Sequence, residues 1–229
     1  IAICLSGDLD PDKTVASIEK YFGNWKPSAH IDVPQFPAQP ALTAPVDTTV
    51  VGKEAPMLFM GWRADASKSL QLDTLEVIAQ LLSNGQAGLF DLDLSQKLKV
   101  QEVSAGIADM DEYSVFYVYG QPKSGQTLQE VRSLALSEIE KLKKGNFSDD
   151  LLPSIVNNYK RYYYTQLDNN QFRAKQYVDA FINHKDWKQE VDKLNRISKL
   201  TKAEIVKFAN QFFRNDFACV YKEQGNDTT

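Results

Sequence analysis

The pattern of hydrophobic and polar positions divides the chain into short strands and amphipathic helices. Alternating or continuous apolar runs predict strands, and apolar residues spaced three and four apart predict helices. Strands are expected at residues 1–5, 48–53, 56–63, 103–107, 113–120 and 217–221. Helices are expected to begin after Asp10, at Ser69, at Ala87, after Thr127, near Asp150, after Asp186 and after Thr201. This order predicts an α+β fold with a mainly antiparallel sheet and helices packed on one side.

Capping and stop signals support several of these boundaries. Thr127 with Glu130, and Thr201 with Glu204, have the spacing of capping boxes, in which two side chains satisfy free backbone N–H groups. The helix that begins near Asp150 is expected to break at residues 168–170, and the segment from Ala87 to Leu98 to form a shorter helix. In the long helix, Tyr159, Tyr163 and Leu167 share one face, which predicts that they are largely buried.

Composition near residue 30 and at the C-terminal end predicts irregular segments. Residues 26–47 contain five prolines, which exclude a long helix or a central strand, so we expect a proline-rich linker. Residues 222–229 are polar and are expected to fray. The whole chain, residues 1–229, is interpreted as a single domain, and its first residue, Ile1, indicates a piece of a longer protein.

Charge and hydropathy argue against two classes of partner. The formal net charge is -4, whereas nucleic-acid binding needs a basic surface, so no nucleic acid is expected. The run from Asn157 to Tyr164 interleaves basic and aromatic residues, as some nucleic-acid-binding surfaces do, but the acidic overall charge favours a packed amphipathic helix. No apolar run approaches the roughly 18 residues of a membrane span.

The sequence offers little material for a metal or nucleophilic site. Its two histidines, His30 and His184, lie far apart, and neither H-E-x-x-H nor H-x-x-E-H occurs. We therefore predict no catalytic residue and no metal ligand in this chain. Cys4 and Cys219 both lie in apolar runs, which favours two buried thiols, although a disulfide between them remains an alternative.

Four motifs, in order along the chain, resemble a known family. Gly7-Asp8-Leu9-Asp10-Pro11 with Tyr21-Phe22-Gly23 resembles the junction into the second domain of insulinase/pitrilysin-type zinc metallopeptidases. Leu81–Gly88 with Leu89-Phe90, Val103-Ser104-Ala105-Gly106 and Leu200–Ile205 are similar to later segments of the same domain.

This resemblance implies a non-catalytic domain of the active half of such an enzyme. It implies that zinc binds in a catalytic domain of the parent protein, outside this chain. Some inactive halves of the family contribute an Arg and a Tyr to the substrate, but the positions that we align with them hold Ser95 and Glu102. The implied partners are the remaining domains of the parent peptidase and a peptide substrate, and the family points to a bacterial periplasm or envelope.

The resemblance also implies where a peptide would bind. We expect the strand Val103, Ser104, Ala105 and Gly106, with the turn Asn84-Gly85, to face the substrate chamber and to add a peptide as an extra strand. The small side chains would allow another backbone to approach, or would merely fit under a packed helix. For the domain as a whole, the alternative to substrate binding is an architectural or interaction role without any part in proteolysis.

Overall fold

The computed structural model describes residues 1–31, 34 and 36–226. Its strands are β1 (Val46–Gly52), β2 (Met57–Ala64), β3 (Glu102–Ala108), β4 (Ser114–Gln121) and β5 (Ala218–Gln224). Its helices are α1 (Pro11–Phe22), α2 (Gln71–Leu82), α3 (Leu128–Lys143), α4 (Leu151–Leu167), α5 (Asn170–Ile182), α6 (Trp187–Ser198) and α7 (Lys202–Phe212). A π-helical turn, Asp91–Ser95, follows α2.

The five strands form one sheet in the order β1-β5-β2-β4-β3. The pairs β2–β4, β2–β5 and β3–β4 are antiparallel, which confirms a mainly antiparallel sheet. The sheet is nevertheless mixed, because β1 runs parallel to β5. β2 lies in the middle of the sheet, between β5 and β4.

One face of the sheet carries the helices and the core. Leu58 and Met60 of β2 are completely buried on this face, and Trp62 packs edge-on against Phe213, with ring centroids 5.3 Å apart. Burying a side chain of this size contributes about 1.5–3 kcal/mol. The opposite face, which we call the open face, bears Phe59, and 40% of this residue's surface is exposed.

The predicted helix ends are confirmed by their hydrogen bonds. In both capping boxes the threonine hydroxyl accepts from the glutamate N–H, and the glutamate carboxylate accepts from the threonine N–H. The expected break falls between α4 and α5, where the Asn169 side chain accepts hydrogen bonds from Gln171 N and Phe172 N. Such caps typically contribute about 1 kcal/mol each.

The expected strand at residues 1–5 is wrong. This segment is extended but pairs with no strand in the described part of the chain, and Ile1 is 98% exposed. An apolar run predicts a buried strand only if a neighbouring strand is available to pair with its backbone. Cys4 is consequently half-buried rather than buried, whereas Cys219 is buried, and both are free thiols.

Three other boundaries differ from expectation. The predicted helix from Ala87 to Leu98 is shorter in the structure, where helical turns cover residues 89–95 and Leu98 has a φ of 51°. The expected linker ends at residue 45, because β1 begins at Val46. The polar tail does not fray from residue 222, because β5 pairs as far as Gln224; residues 227–229 lie outside the described residues.

The tyrosine-rich face of α4 packs on the domain, though less deeply than predicted. Tyr159, Tyr163 and Leu167 are half-buried rather than largely buried. The Tyr159 hydroxyl donates to Glu76 Oε2 at 2.5 Å and reaches α2 across the helix layer. Tyr162 and Tyr164 are 60% and 61% exposed, so α4 presents one packed face and one solvated face.

Candidate functional site

β3, which contains four of the predicted site residues, lies at an edge of the sheet. β4 pairs with one side of β3 from Glu102 to Ala108, and no strand pairs with the other side in residues 1–31, 34 and 36–226. An unpaired edge presents N–H and C=O groups that another extended chain can bind. The structure thus provides, at Val103–Gly106, the edge that strand addition requires.

The register determines which backbone groups point away from β4. In an antiparallel pair, opposite residues alternate between those that exchange both hydrogen bonds and those that exchange none. The final pair is Glu102 with Gln121, and Pro122 beyond it has no N–H to donate, so Glu102 and Gln121 form a hydrogen-bonded pair. The alternation then directs the N–H and C=O groups of Val103, Ala105 and Ile107 outward.

The turn Asn84-Gly85 is held by its own hydrogen bonds. Asp91 Oδ2 accepts from Asn84 N at 2.8 Å and from Gly88 N at 2.9 Å. The Asn84 side chain accepts from Gln86 N and Ala87 N and donates to Gln80 O. These hydrogen bonds satisfy both the oxygen and the nitrogen of the Asn84 side-chain amide within the turn. Gly85, at φ 80°, has no atom within 4 Å of a Cβ placed there and is the exposed member of the pair.

A groove of about 300 Å³ runs beside β3 on the helix side. It lies between β3, α2 and α4 and is lined by Leu72, Glu76, Ala79, Gln80, Ala105, Gly106, Ile107, Asp109 and Tyr159. Asn84 and Gly85 are not among these residues, so the groove brings together only part of the predicted set. Within the described chain, the charged side chains that line it are the two carboxylates, Glu76 and Asp109.

Behind the groove, an ion-pair cluster fixes the carboxylate of Glu76. Lys193 Nζ lies 2.7 Å from Glu76 Oε1, and Arg196 lies 2.8 Å from Asp73 Oδ2. Burial lowers the pKa of Lys193, but the neighbouring carboxylates of Glu76 and Asp73 outweigh this and hold the pKa above its ordinary value. Burial raises the pKa of Asp73, although Lys193 and Arg196 oppose this effect. These ion pairs connect α2 with α6, and the hydrogen bond from Tyr159 to Glu76 connects α4 with α2.

On the open face, Tyr117 lies across Gly106. A Cβ at residue 106 would lie 2.6 Å from the Tyr117 hydroxyl oxygen, so only glycine leaves room for this ring. Tyr117 also stacks on Phe59, with ring centroids 5.2 Å apart. The small size of Gly106 therefore serves packing, as the alternative interpretation held, but against a tyrosine of the sheet and not under a helix.

A second cavity, of about 510 Å³, is lined by strand residues of the open face and also by residues of α7, among them Phe208 and Phe212. Its floor includes Phe59, Gly61 and Val115, and the linker passes over it at Ala41 and Leu42. Arg63 anchors the linker by donating to Gln39 O at 2.9 Å. The open face is thus an apolar surface that this chain covers only in part.

In the part of the chain that the structure describes, the donor atoms for a catalytic zinc ion are not brought together. In the described residues, no group of three or more His, Cys, Asp or Glu side chains is placed to hold a metal ion. His30 lies in the extended linker, and His184 follows the end of α5. This donor set does not fit a zinc site, and we derive no reaction step through a metal in this chain.

Several residues of the site were not identified from the sequence. Glu76 and Gln80 lie far from residues 103–106 along the chain, and the packing of α2 against β3 brings them to the groove, whereas Asp109 directly follows β3. The period-2 alternation of Tyr113–Gly120 did place Tyr117 on the face opposite to Phe116 and Val118. No local sequence pattern predicts that the Tyr117 ring lies across Gly106.

Comparisons with known proteins agree with this architecture. A family profile described as "Peptidase M16 inactive domain" matches residues 1–159. The zinc protease PqqE of Helicobacter pylori is 22% identical over 222 residues, which are 93% of this chain and 49% of PqqE. The chain thus spans about half the length of this relative.

Solved structures show the same fold. A protease from Helicobacter pylori matches with a TM-score of 0.88 at 19% identity, over 95% of this chain and 54% of that one. The first half of the periplasmic protease PqqL from Escherichia coli matches with a TM-score of 0.74 at 11% identity, over 95% of this chain and 50% of that one. No helix in the described residues is both long and apolar enough to span a membrane.

Proposed function

The chain belongs to the family of peptidase M16 inactive domains, and from this premise we propose that it forms part of the peptide-enclosing chamber of a zinc endopeptidase. In this role β3 receives an extended peptide substrate as a sixth strand of the sheet. The catalytic zinc ion belongs to another domain of the parent protein. The observation that carries the proposal is the unpaired outer side of β3.

The chemical contribution of this domain is to position the substrate. The outward N–H and C=O groups of Val103, Ala105 and Ile107 bind a peptide backbone irrespective of its sequence. A substrate held in this way is extended and has a fixed register, which reduces the entropy that must be lost when it reaches the catalytic groups. No residue of this chain is assigned a role in bond cleavage.

The remaining domains of the parent protein are the proposed partners of the other exposed surfaces. α1 buries no residue, and Ile3, Leu5 and Val15 in and before it are exposed. The open face carries further exposed apolar residues, Val46, Val50 and Phe59. Exposed apolar surface on this scale typically marks an interface.

The same exposed surfaces favour the second candidate function, a purely architectural domain. In that case the domain would contact the rest of the parent protein through its open face, and the edge of β3 would bind nothing. The two candidates differ in one respect that can be measured, namely whether the outward N–H groups of β3 contribute to turnover of long substrates.

The proposed compartment is the bacterial periplasm or envelope. The relative PqqL is described as a periplasmic protease, and this chain shares its fold.

A proline substitution in the full-length parent enzyme tests the proposed function. Ala105→Pro removes one outward N–H while keeping the hydrogen bonds between β3 and β4. We expect kcat/KM to fall about ten-fold for a long unstructured peptide that can pair with all of β3. A short fluorogenic peptide that cannot reach β3 should be cleaved at the original rate.

The matched control is a proline on the opposite edge of the sheet. Val46 N donates to Phe217 O at 3.0 Å, so alternation directs the N–H of Thr49 away from β5. Thr49→Pro should therefore leave both substrates unaffected. Equal effects of Ala105→Pro on the long and the short peptide, with the fold intact by circular dichroism, would exclude strand addition at β3.

A further inference from the structure

The two flanks of the β3 edge differ in chemistry. A strand added beside β3 would direct alternate side chains to the helix side and to the open face. On the helix side these side chains would enter the groove lined by Glu76, Gln80 and Asp109. On the open face they would lie beside Gly106, where Tyr117 reaches toward the edge.

The helix-side groove has the features of a site for a long cationic side chain. Its walls include Leu72, Ala79 and Ile107, which would cover the methylene groups of a lysine or arginine. Its charged lining consists of two carboxylates, Glu76 and Asp109. Their ion-pair partners, Lys193 at 2.7 Å and Lys185 at 3.2 Å, do not line the groove. Glu76 is 32% and Asp109 is 41% exposed, so both remain accessible to a guest.

The open-face flank favours apolar side chains. Gly106 has no side chain to separate an added strand from the Tyr117 ring, and Tyr117 is backed by Phe59 at 5.2 Å. A valine or an aromatic residue opposite Gly106 would cover this ring and remove apolar surface from water.

We propose that the edge of β3 selects extended peptides in which cationic and apolar residues alternate, with the cationic side chains in the groove and the apolar ones against Tyr117. This inference rests on the proposed function, because it names the class of peptide that the added strand would have. The inference goes beyond the proposed function, because strand addition alone requires no particular side chains.

Binding of designed peptides to the 229-residue chain tests the inference. The probe is a labelled, end-capped peptide of alternating lysine and valine, compared with alternating glutamine and valine and alternating glutamate and valine. We expect the lysine peptide to bind about ten-fold more tightly than the glutamine peptide, and the glutamate peptide to bind most weakly. Fluorescence anisotropy at low salt provides the dissociation constants.

A fourth peptide separates alternation from general attraction between charges. It contains the same lysines and valines in two blocks, so its composition and charge are unchanged. The inference expects it to bind less tightly than the alternating peptide, because only alternation places all lysines in the groove. Equal binding of the two peptides would overturn the inference.

A pair of matched variants locates the preference on the protein. Gln80→Lys places a positive charge at the groove and should abolish the preference for lysine over glutamine. Gln129→Lys makes the same charge change on the exposed side of α3 and should preserve the preference. If both variants have the same effect, the groove does not select the cationic residues and the inference fails.

The same experiment distinguishes failure of this inference from failure of the proposed function. Methylating the backbone nitrogens of one alternate set of peptide residues blocks strand addition, whereas methylating the other set leaves it intact. If all peptides bind equally and show this methylation pattern, strand addition stands and the side-chain selection is wrong. If no peptide binds, both the inference and strand addition by this chain are wrong.

Discussion

At the residue scale, the open face at the edge of the sheet depends on the close contact between Gly106 and the Tyr117 side chain. Tyr117 can lie across β3 only because residue 106 lacks a side chain. The sequence predicted that the small residues would admit another backbone or fit under a packed helix, whereas the group that lies against Gly106 is the Tyr117 side chain. It did not identify the group that approaches, because β3 and β4 meet through pairing of Gly106 with Tyr117, a register that local sequence does not encode.

Substituting Gly106 should therefore destabilise the domain through Tyr117. Gly106→Val places atoms where the Tyr117 ring lies, and we expect a loss of about 1–3 kcal/mol in the free energy of unfolding. Urea denaturation of Gly106→Val, Tyr117→Val and the double variant measures the coupling. In the double variant, Tyr117→Val should recover about 1 kcal/mol of the free energy of unfolding that Gly106→Val removes. Strictly additive effects on the free energy of unfolding would show that the Tyr117 ring does not limit which side chain fits at residue 106.

At the scale of elements, Asp93 links the π-helical turn to α3. Its carboxylate lies 2.5 Å from Lys97 Nζ and 2.7 Å from Lys141 Nζ. Hydrogen bonds from Lys141 and Lys97 lower the pKa of Asp93 from 3.8 to about 2. The predicted helix at residues 87–98 did not reveal this link, because Lys141 is distant in sequence and the turn is shaped by tertiary contacts.

The lowered pKa of Asp93 predicts a pH-dependent contribution to stability. A carboxyl group with a folded-state pKa below its unfolded value stabilises the fold above the unfolded pKa and loses this contribution as the pH falls. Asp93→Asn should lower the free energy of unfolding by about 1–2 kcal/mol near neutral pH. This difference from the unsubstituted protein should shrink as the pH falls from about 4 to about 2.

The exposed pair of Asp179 with Lys175 on α5 provides the control. Asp179→Asn should change the free energy of unfolding by no more than about 0.5 kcal/mol, because surface ion pairs contribute little. Guanidinium denaturation across this pH range measures both variants. A pH-independent effect of Asp93→Asn would contradict the assigned role of its charge.

Local sequence predicted those elements whose signals lie within them. The capping boxes at Thr127 and Thr201 and the break at Asn169 are confirmed because short-range hydrogen bonds determine them. The strand predicted at residues 1–5 is wrong because its partner would have to come from elsewhere. Secondary structure that depends on a partner cannot be read from one segment alone.

At the scale of the whole molecule, the fold class followed from the order of the predicted strands and helices, and the family followed from the order of four motifs. The resemblance to insulinase/pitrilysin-type zinc peptidases is confirmed at the level of the family by the match to the M16 inactive domain over residues 1–159. The sequence predicted the five strands of the sheet and, wrongly, a sixth at residues 1–5, but it did not predict the strand order. That order decides whether Val103–Gly106 lies in the middle of the sheet or at its edge, and it places this segment at the edge.

Hydrogen–deuterium exchange on the full-length parent enzyme, with its catalytic residues inactivated and a long peptide bound, tests the central claim most directly. Addition of a strand to β3 would protect the outward N–H groups of Val103, Ala105 and Ile107, because each would gain a hydrogen bond. The outward N–H groups of β1, at the other edge, should exchange at an unchanged rate. Peptide-induced protection at β1, or none at β3 while the peptide is bound, would contradict the account.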